Sequence, residues 1–81
     1  SLGFTMQRLK NYRIQKGLSQ ENMAMSLNKS KATISRYESG EILPDVRDVS
    51  IICKELGIYE ADLYGNNVYW YCNFKKLPTE K

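Results

Sequence analysis

The chain is cut into short pieces by its own punctuation. Gly17, Gly40 and Gly57 each follow a segment whose apolar residues recur at helical spacing, and Ser19, Ser30 and Asp45 each precede one. Glycine takes the left-handed backbone at a helix C-terminus without a Cβ penalty. Ser and Asp side chains accept from the unpaired N–H groups of a first turn. Segments bounded this way cannot exceed roughly three turns. Helices that short are marginal alone, so they must be held by packing against one another.

Between these marks the apolar positions predict where each helix faces. Residues 6–16 read as a first helix, with Met6, Leu9 and Tyr12 inward and Arg8, Lys10, Arg13 and Lys16 around the rest. Gln20 to Leu27 form a second, with Met23, Ala24 and Leu27 inward. Asn28-Lys29-Ser30 is a polar turn, and Asn tolerates the left-handed region. Lys31 to Ser39 form a third helix, with Ile34 and Tyr37 inward. After the loop Glu41-Ile42-Leu43-Pro44, Asp45 caps a fourth helix running to Leu56, with Val46, Val49, Ile52, Cys53 and Leu56 as its stripe. A fifth fits Glu60–Tyr64, ended by Gly65. Cap, periodicity and terminator agree at each place, which predicts an all-α domain of five short helices over residues 4–65.

Several kinds of chemistry fall away. The chain has no His, hence no Ser/His or Cys/His nucleophilic pair. Its two Cys, Cys53 and Cys72, are not a C-x-x-C pair and cannot close a zinc site; they are expected reduced. No Gly-rich phosphate loop appears. The longest apolar run, Val68 to Cys72, falls far short of the ~20 residues of a membrane helix, and no secretory signal pattern opens the chain. An enzyme, a metal or cofactor site, a small-molecule pocket and a membrane partner are therefore not expected, and the cytoplasm is the expected compartment.

Charge is segregated. Residues 1–40 hold seven Lys/Arg against two Glu, a net of +5, whereas residues 41–65 hold two basic and six acidic residues, a net of −4. A basic face is the electrostatic footprint of a polyanion partner, so nucleic acid is expected against the first half.

The segment Gln20–Ser39 is the most informative. Two short helices meet through a three-residue turn, with small Ala24 where they must cross closely. This is the layout of a helix-turn-helix, in which the second helix enters the DNA major groove N-terminal end first. Lys31, Ala32, Thr33, Ser35 and Arg36 lie away from Ile34 and Tyr37. Arg can fork onto O6 and N7 of guanine, Thr or Ala can touch a thymine methyl, and Lys can take base or phosphate. The helix starts at Ser19–Gln20 and Ser30–Lys31 offer free N–H groups to phosphates.

Carrying these residues, the chain resembles the Cro and lambda-repressor-like (XRE) helix-turn-helix regulators of bacteria and phages. The matching stretches are RLKNYRIQKGLSQENMAMSL, NKSKATISRYESGEILP and ELGIYEADLYG, from Arg8 to about Gly65. The resemblance implies a transcriptional regulator, most simply a repressor, binding a near-palindromic duplex as a homodimer. It implies that Gln20 clamps a phosphate and that Arg13 and Glu38 form an ion pair between helices one and three, with Arg13 also near a phosphate. It implies that Lys31, Ala32 and Arg36 read bases, while Ser30, Thr33, Ser35 and Ser39 contact backbone or base edges. Three residues depart from the family pattern. Tyr59 stands in place of the usual Ser or Thr cap of helix five, so that helix is expected to start differently. Glu41 weakens one expected phosphate contact. Ile51 is apolar where the family is usually polar, which points to a partner surface.

Residues 66–81 read differently. Val68, Trp70, Cys72 and Phe74 alternate with Tyr69, Tyr71 and Asn73, the period of a strand. A bare aromatic strand edge is avoided by proteins. Three readings stand: pairing with its symmetry mate in a dimer, packing back on helices one and five, or the beginning of a further C-terminal domain. On the first, Val68, Trp70 and Phe74 join Ile51 in a dimer interface. The competing reading of the whole chain is an antitoxin- or antirepressor-like interaction module. Its protein partner would sit on the acidic segment or the tail, and DNA binding would be secondary.

Overall fold

A computed structural model describes residues 6–65. They form five helices: α1 (Gln7–Gln15), α2 (Gln20–Leu27), α3 (Lys31–Ser39), α4 (Val46–Leu56) and α5 (Glu60–Tyr64). None of the described residues lies in a strand. The strand expected over 68–74, and with it Val68, Trp70 and Phe74, lies outside the described residues.

The caps act where the sequence put them. Ser19 Oγ accepts from the Asn22 N–H at 2.9 Å, and Asn22 Oδ1 accepts from the Ser19 N–H at 2.9 Å, a reciprocal box that satisfies two donors at once. Ser30 Oγ accepts from the Thr33 N–H at 3.1 Å and Asp45 Oδ1 from the Asp48 N–H at 2.8 Å, each a one-way cap. The C-terminal marks are equally literal. Gly40 (φ 83°) ends α3 in the left-handed region, and Asn28 (φ 57°) ends α2 there.

The five helices enclose one core. Met6, Leu9, Met23, Ile34, Val49, Ile52, Leu56 and Leu63 are at most 1% exposed, and Ala24, Leu27, Tyr37, Cys53 and Tyr64 are buried around them. Small Ala24 lies within this core on α2, which packs against α3 and α4. Burial of a Leu- or Ile-sized side chain contributes about 1.5–3 kcal/mol, so this cluster, rather than helix propensity, holds such short elements.

Three expectations change. Helix α1 runs 7–15 rather than 6–16, because Met6 serves as its N-cap without a side-chain bond and Lys16 as its C-cap. Val46 is 42% exposed and so leaves the α4 stripe; at 100° per residue it points roughly 70° from the mean direction of Val49, Ile52, Cys53 and Leu56. Helix α5 begins at Glu60, the expected place, despite Tyr59: the Tyr59 carbonyl accepts the Asp62 N–H at 3.0 Å in place of a side-chain cap, and Asp62 Oδ2 accepts the Tyr59 N–H at 3.0 Å.

Candidate nucleic-acid interface

Helix α3 divides into two faces. Ile34, Tyr37 and Glu38 are buried, while Lys31, Ala32, Ser35 and Arg36 are exposed and Thr33 is half-buried. The reason is the period of the helix: the first three lie three and four residues apart and share one side. Neither Lys31 nor Arg36 has an ion-pair or hydrogen-bonding partner for its side chain among the described residues. Two unneutralised cations thus stand exposed on α3, Lys31 at its first position and Arg36 on its outward side.

The start of α3 is tightly made. Ser30 Oγ caps Thr33 and also lies 3.0 Å from Thr33 Oγ1, so the two hydroxyls occupy each other. The N–H groups of Lys31 and Ala32 have no acceptor among the described residues. At the far end, Ser39 Oγ donates to the Arg36 carbonyl at 3.1 Å and accepts from the Glu41 N–H at 3.3 Å. Ser39 is therefore turned back on its own helix end, and Ser35 is left as the hydroxyl on the open face.

Two buried polar clusters fix α3 in place. In the first, Arg13 of α1 meets Glu38 through Nε–Oε2 at 2.6 Å and Nη2–Oε1 at 3.3 Å. Arg13 Nη1 donates to the Leu18 carbonyl at 2.8 Å, and Gln20 Nε2 donates to Glu38 Oε1 at 3.0 Å. One carboxylate thereby ties α1, α2 and α3 together. Arg13 is only 8% exposed, so a phosphate would feel it mainly through its field. A forked Arg–carboxylate pair is among the strong hydrogen-bonded arrangements, and removing one partner of a buried pair costs about 3–5 kcal/mol.

The second cluster was not foreseen. Asp48 of α4 is 4% exposed. Its Oδ2 accepts from Lys29 Nζ at 2.6 Å and from the Tyr37 hydroxyl at 2.7 Å. The turn between α2 and α3 is thus pinned to α4. Burial, aided by the Asp48 hydrogen bond, pushes the Tyr37 phenol up to about 12. The Asp48 hydrogen bond raises Lys29 above its ordinary value. A signal was present in the sequence: an inward Tyr needs a partner for its hydroxyl, and Asp48 borders the Val49–Ile52 stripe.

Ile51 is half-buried and packs on the core edge rather than standing free. The remaining exposed large apolar side chains include Val46 on α4 and Tyr59, 82% exposed, in the loop that follows it. Among the described residues no group of His, Cys, Asp and Glu could hold a metal ion, and no helix is long and apolar enough to cross a membrane.

Comparison with known proteins agrees with this geometry. Residues 9–63 match the family model described as helix-turn-helix. The crystal structure of the restriction-modification controller protein C.AhdI from Aeromonas hydrophila is similar, with 28% sequence identity and a TM-score of 0.64 over 70% of this chain and 86% of that one. No curated protein matches the chain at a significant level.

Proposed function

Because the chain belongs to the XRE-type helix-turn-helix family of DNA-binding transcriptional regulators, we propose that it is a repressor that binds a near-palindromic operator as a homodimer. One observation carries the DNA-facing assignment: Arg36 stands exposed and unpaired on the side of α3 away from buried Ile34, Tyr37 and Glu38, and Lys31 stands exposed and unpaired at the first position of the same helix. On this reading Lys31, Ala32 and Arg36 face base edges, where a forked Arg–guanine contact discriminates by about 1–3 kcal/mol. Gln20, Ser30, Thr33 and Ser35 meet backbone or base edges at the adjoining helix starts, and Ser39 lies at the rim. Arg13 and Glu38 act as the brace behind them. A phosphate is drawn to the free N–H groups at the start of α3, where the helix dipole is positive.

The homodimer belongs to this reading because the resemblance to XRE regulators implies it. Of the exposed apolar side chains, Ile14 and Met25 lie on α1 and α2 with residues assigned to DNA, whereas Val46 and Tyr59 lie on α4 and the loop after it, which carry none. Two-fold pairing through α4 or that loop, which the 66–81 segment is proposed to extend, would leave both α3 helices free. Two recognition helices of such a dimer meet half-sites about one turn apart, ~34–36 Å. Repression then follows from occupying a promoter. The family and this geometry favour a regulator over an enzyme, and a cytoplasmic location suits its partner.

Selection of bound sequences from a random duplex library at about 150 mM salt tests the proposal, the salt being fixed because phosphate-driven affinity falls steeply with it. The expected product is a near-palindrome with half-sites one turn apart. A pool that stays random, with only weak salt-sensitive binding, would favour the interaction-module reading, with a protein partner on the acidic 41–65 segment.

A further inference from the structure

The two assignments made separately for Gln20 and for Arg13–Glu38 meet in one place. Gln20 is the first residue of α2, half-buried, and its Nε2 lies 3.0 Å from Glu38 Oε1. A carboxylate can only accept, so the amide nitrogen must be the atom turned toward Glu38. An amide carries two N–H donors; Glu38 takes one, and the direction of the other is then fixed. Glu38 itself is held by two Arg13 nitrogens, at 2.6 and 3.3 Å, and is 6% exposed. The guanidinium also cancels a charge that would otherwise repel a phosphate.

We propose that Glu38 is a positioning residue for DNA binding, aiming the second amide proton of Gln20 at a phosphate through the Arg13–Glu38–Gln20 relay. This rests on the reading of Gln20 as a phosphate contact. A free Gln side chain loses rotamer freedom when it binds; the relay places that cost in folding instead. The relay also makes the buried ion pair serve affinity, not only stability.

The prediction separates positioning from bracing. Glu38→Asp keeps the charge beside Arg13 but draws the carboxylate back by one methylene, out of reach of Gln20. Binding of the full chain to a mixed-sequence duplex of about thirty base pairs is measured from 50 to 150 mM salt, with native far-UV circular dichroism as the folding control. Gln20 is uncharged, so losing its contact releases no counterion and leaves the salt slope intact. The expected loss is about tenfold at every salt concentration, the lower end of what a hydrogen bond to a charged group contributes. Gln20→Ala should lose the same factor, and the double variant should be no weaker than Gln20→Ala alone.

Wild-type affinity in folded Glu38→Asp would overturn the proposal. So would a further tenfold loss when Glu38→Asp is added to Gln20→Ala, because Glu38 would then act on binding by another route. Should Glu38→Asp lack the native spectrum, Gln20→Asn decides instead: it keeps the amide but shortens its reach, so about tenfold weaker binding is expected, and wild-type affinity overturns the relay. A wild-type chain that does not bind duplex at all would take down the DNA-binding reading itself, an outcome distinct from a failed relay in a chain that binds.

Discussion

Replacing Tyr37 by Phe removes one oxygen and nothing else from the core. The ring is 4% exposed and its hydroxyl donates to Asp48 Oδ2 at 2.7 Å. A hydrogen bond to a charged group contributes about 1.5–3 kcal/mol. Lys29 stays on the same oxygen at 2.6 Å, so the lower end applies, about 1.5 kcal/mol at neutral pH. For a domain of this size that lowers Tm by roughly 6–12 °C. The dependence on pH is sharper. The phenol is raised from 10.0 to about 12 in the folded chain. Its contribution is therefore complete below pH 10 and is lost as pH rises through the folded value. Two units correspond to roughly 3 kcal/mol, more than the neutral-pH deficit of the Phe variant. Urea unfolding of both proteins, followed by far-UV circular dichroism at pH 7 to 12, should show wild type more stable at pH 7–9. The curves should cross between pH 10 and 12. Titrations away from Tyr37 are common to both chains and cancel in the difference; that of Lys29, which shares Asp48 with the phenol, does not. A gap that stays constant from pH 9 to 12, or no gap at pH 7, would refute the buried Tyr37–Asp48 bond.

Three further outcomes follow from burial and capping. Ile34 is 0% exposed, so Ile34→Ala should cost about 2–5 kcal/mol and leave a chain this small largely unfolded at 37 °C, as read by thermal melting. Ser30→Ala removes the cap of α3 and the hydroxyl partner of Thr33; a loss of about 0.5–2 kcal/mol in urea unfolding is expected, with duplex binding weakened at a temperature where the chain is still folded. The Cys53 thiol is buried and pushed up to about 11, by burial first and by Glu60 and Asp62 after it. Alkylation at pH 8, mapped by mass spectrometry, should therefore spare Cys53 in the folded chain and modify it in 6 M urea.

What could be read from the sequence was what is decided locally. Ser19, Ser30 and Asp45 cap the helices they precede, and Asn28, Gly40 and Gly57 end the preceding ones in the left-handed region. Each depends only on a residue type and its neighbours. The α1 limits slipped by one residue because no side chain marks that end. Val46 misled because a stripe read by spacing includes its own edge, and its burial depends on whether another element arrives to cover it. The outward side of α3 carrying Arg36 was legible from Ile34 and Tyr37 alone, whereas Lys31 is exposed at the helix's first position. The Lys29–Asp48–Tyr37 cluster was not, because it joins three elements through side chains 11 and 19 residues apart. The Gln20–Glu38 contact spans 18 residues and is set by how closely α2 and α3 approach, which no local signal encodes.

The central claim is that the open face of α3 reads base pairs. The most direct test compares sequences selected from a random duplex library by the wild-type chain and by Arg36→Ala, at the same salt of about 150 mM. The account predicts that wild type recovers a near-palindrome and that Arg36→Ala loses preference at one base pair in each half-site, with about 1–3 kcal/mol lost at that position. An Arg36→Ala chain that folds and recovers the same sequence with the same preference at every position would contradict it.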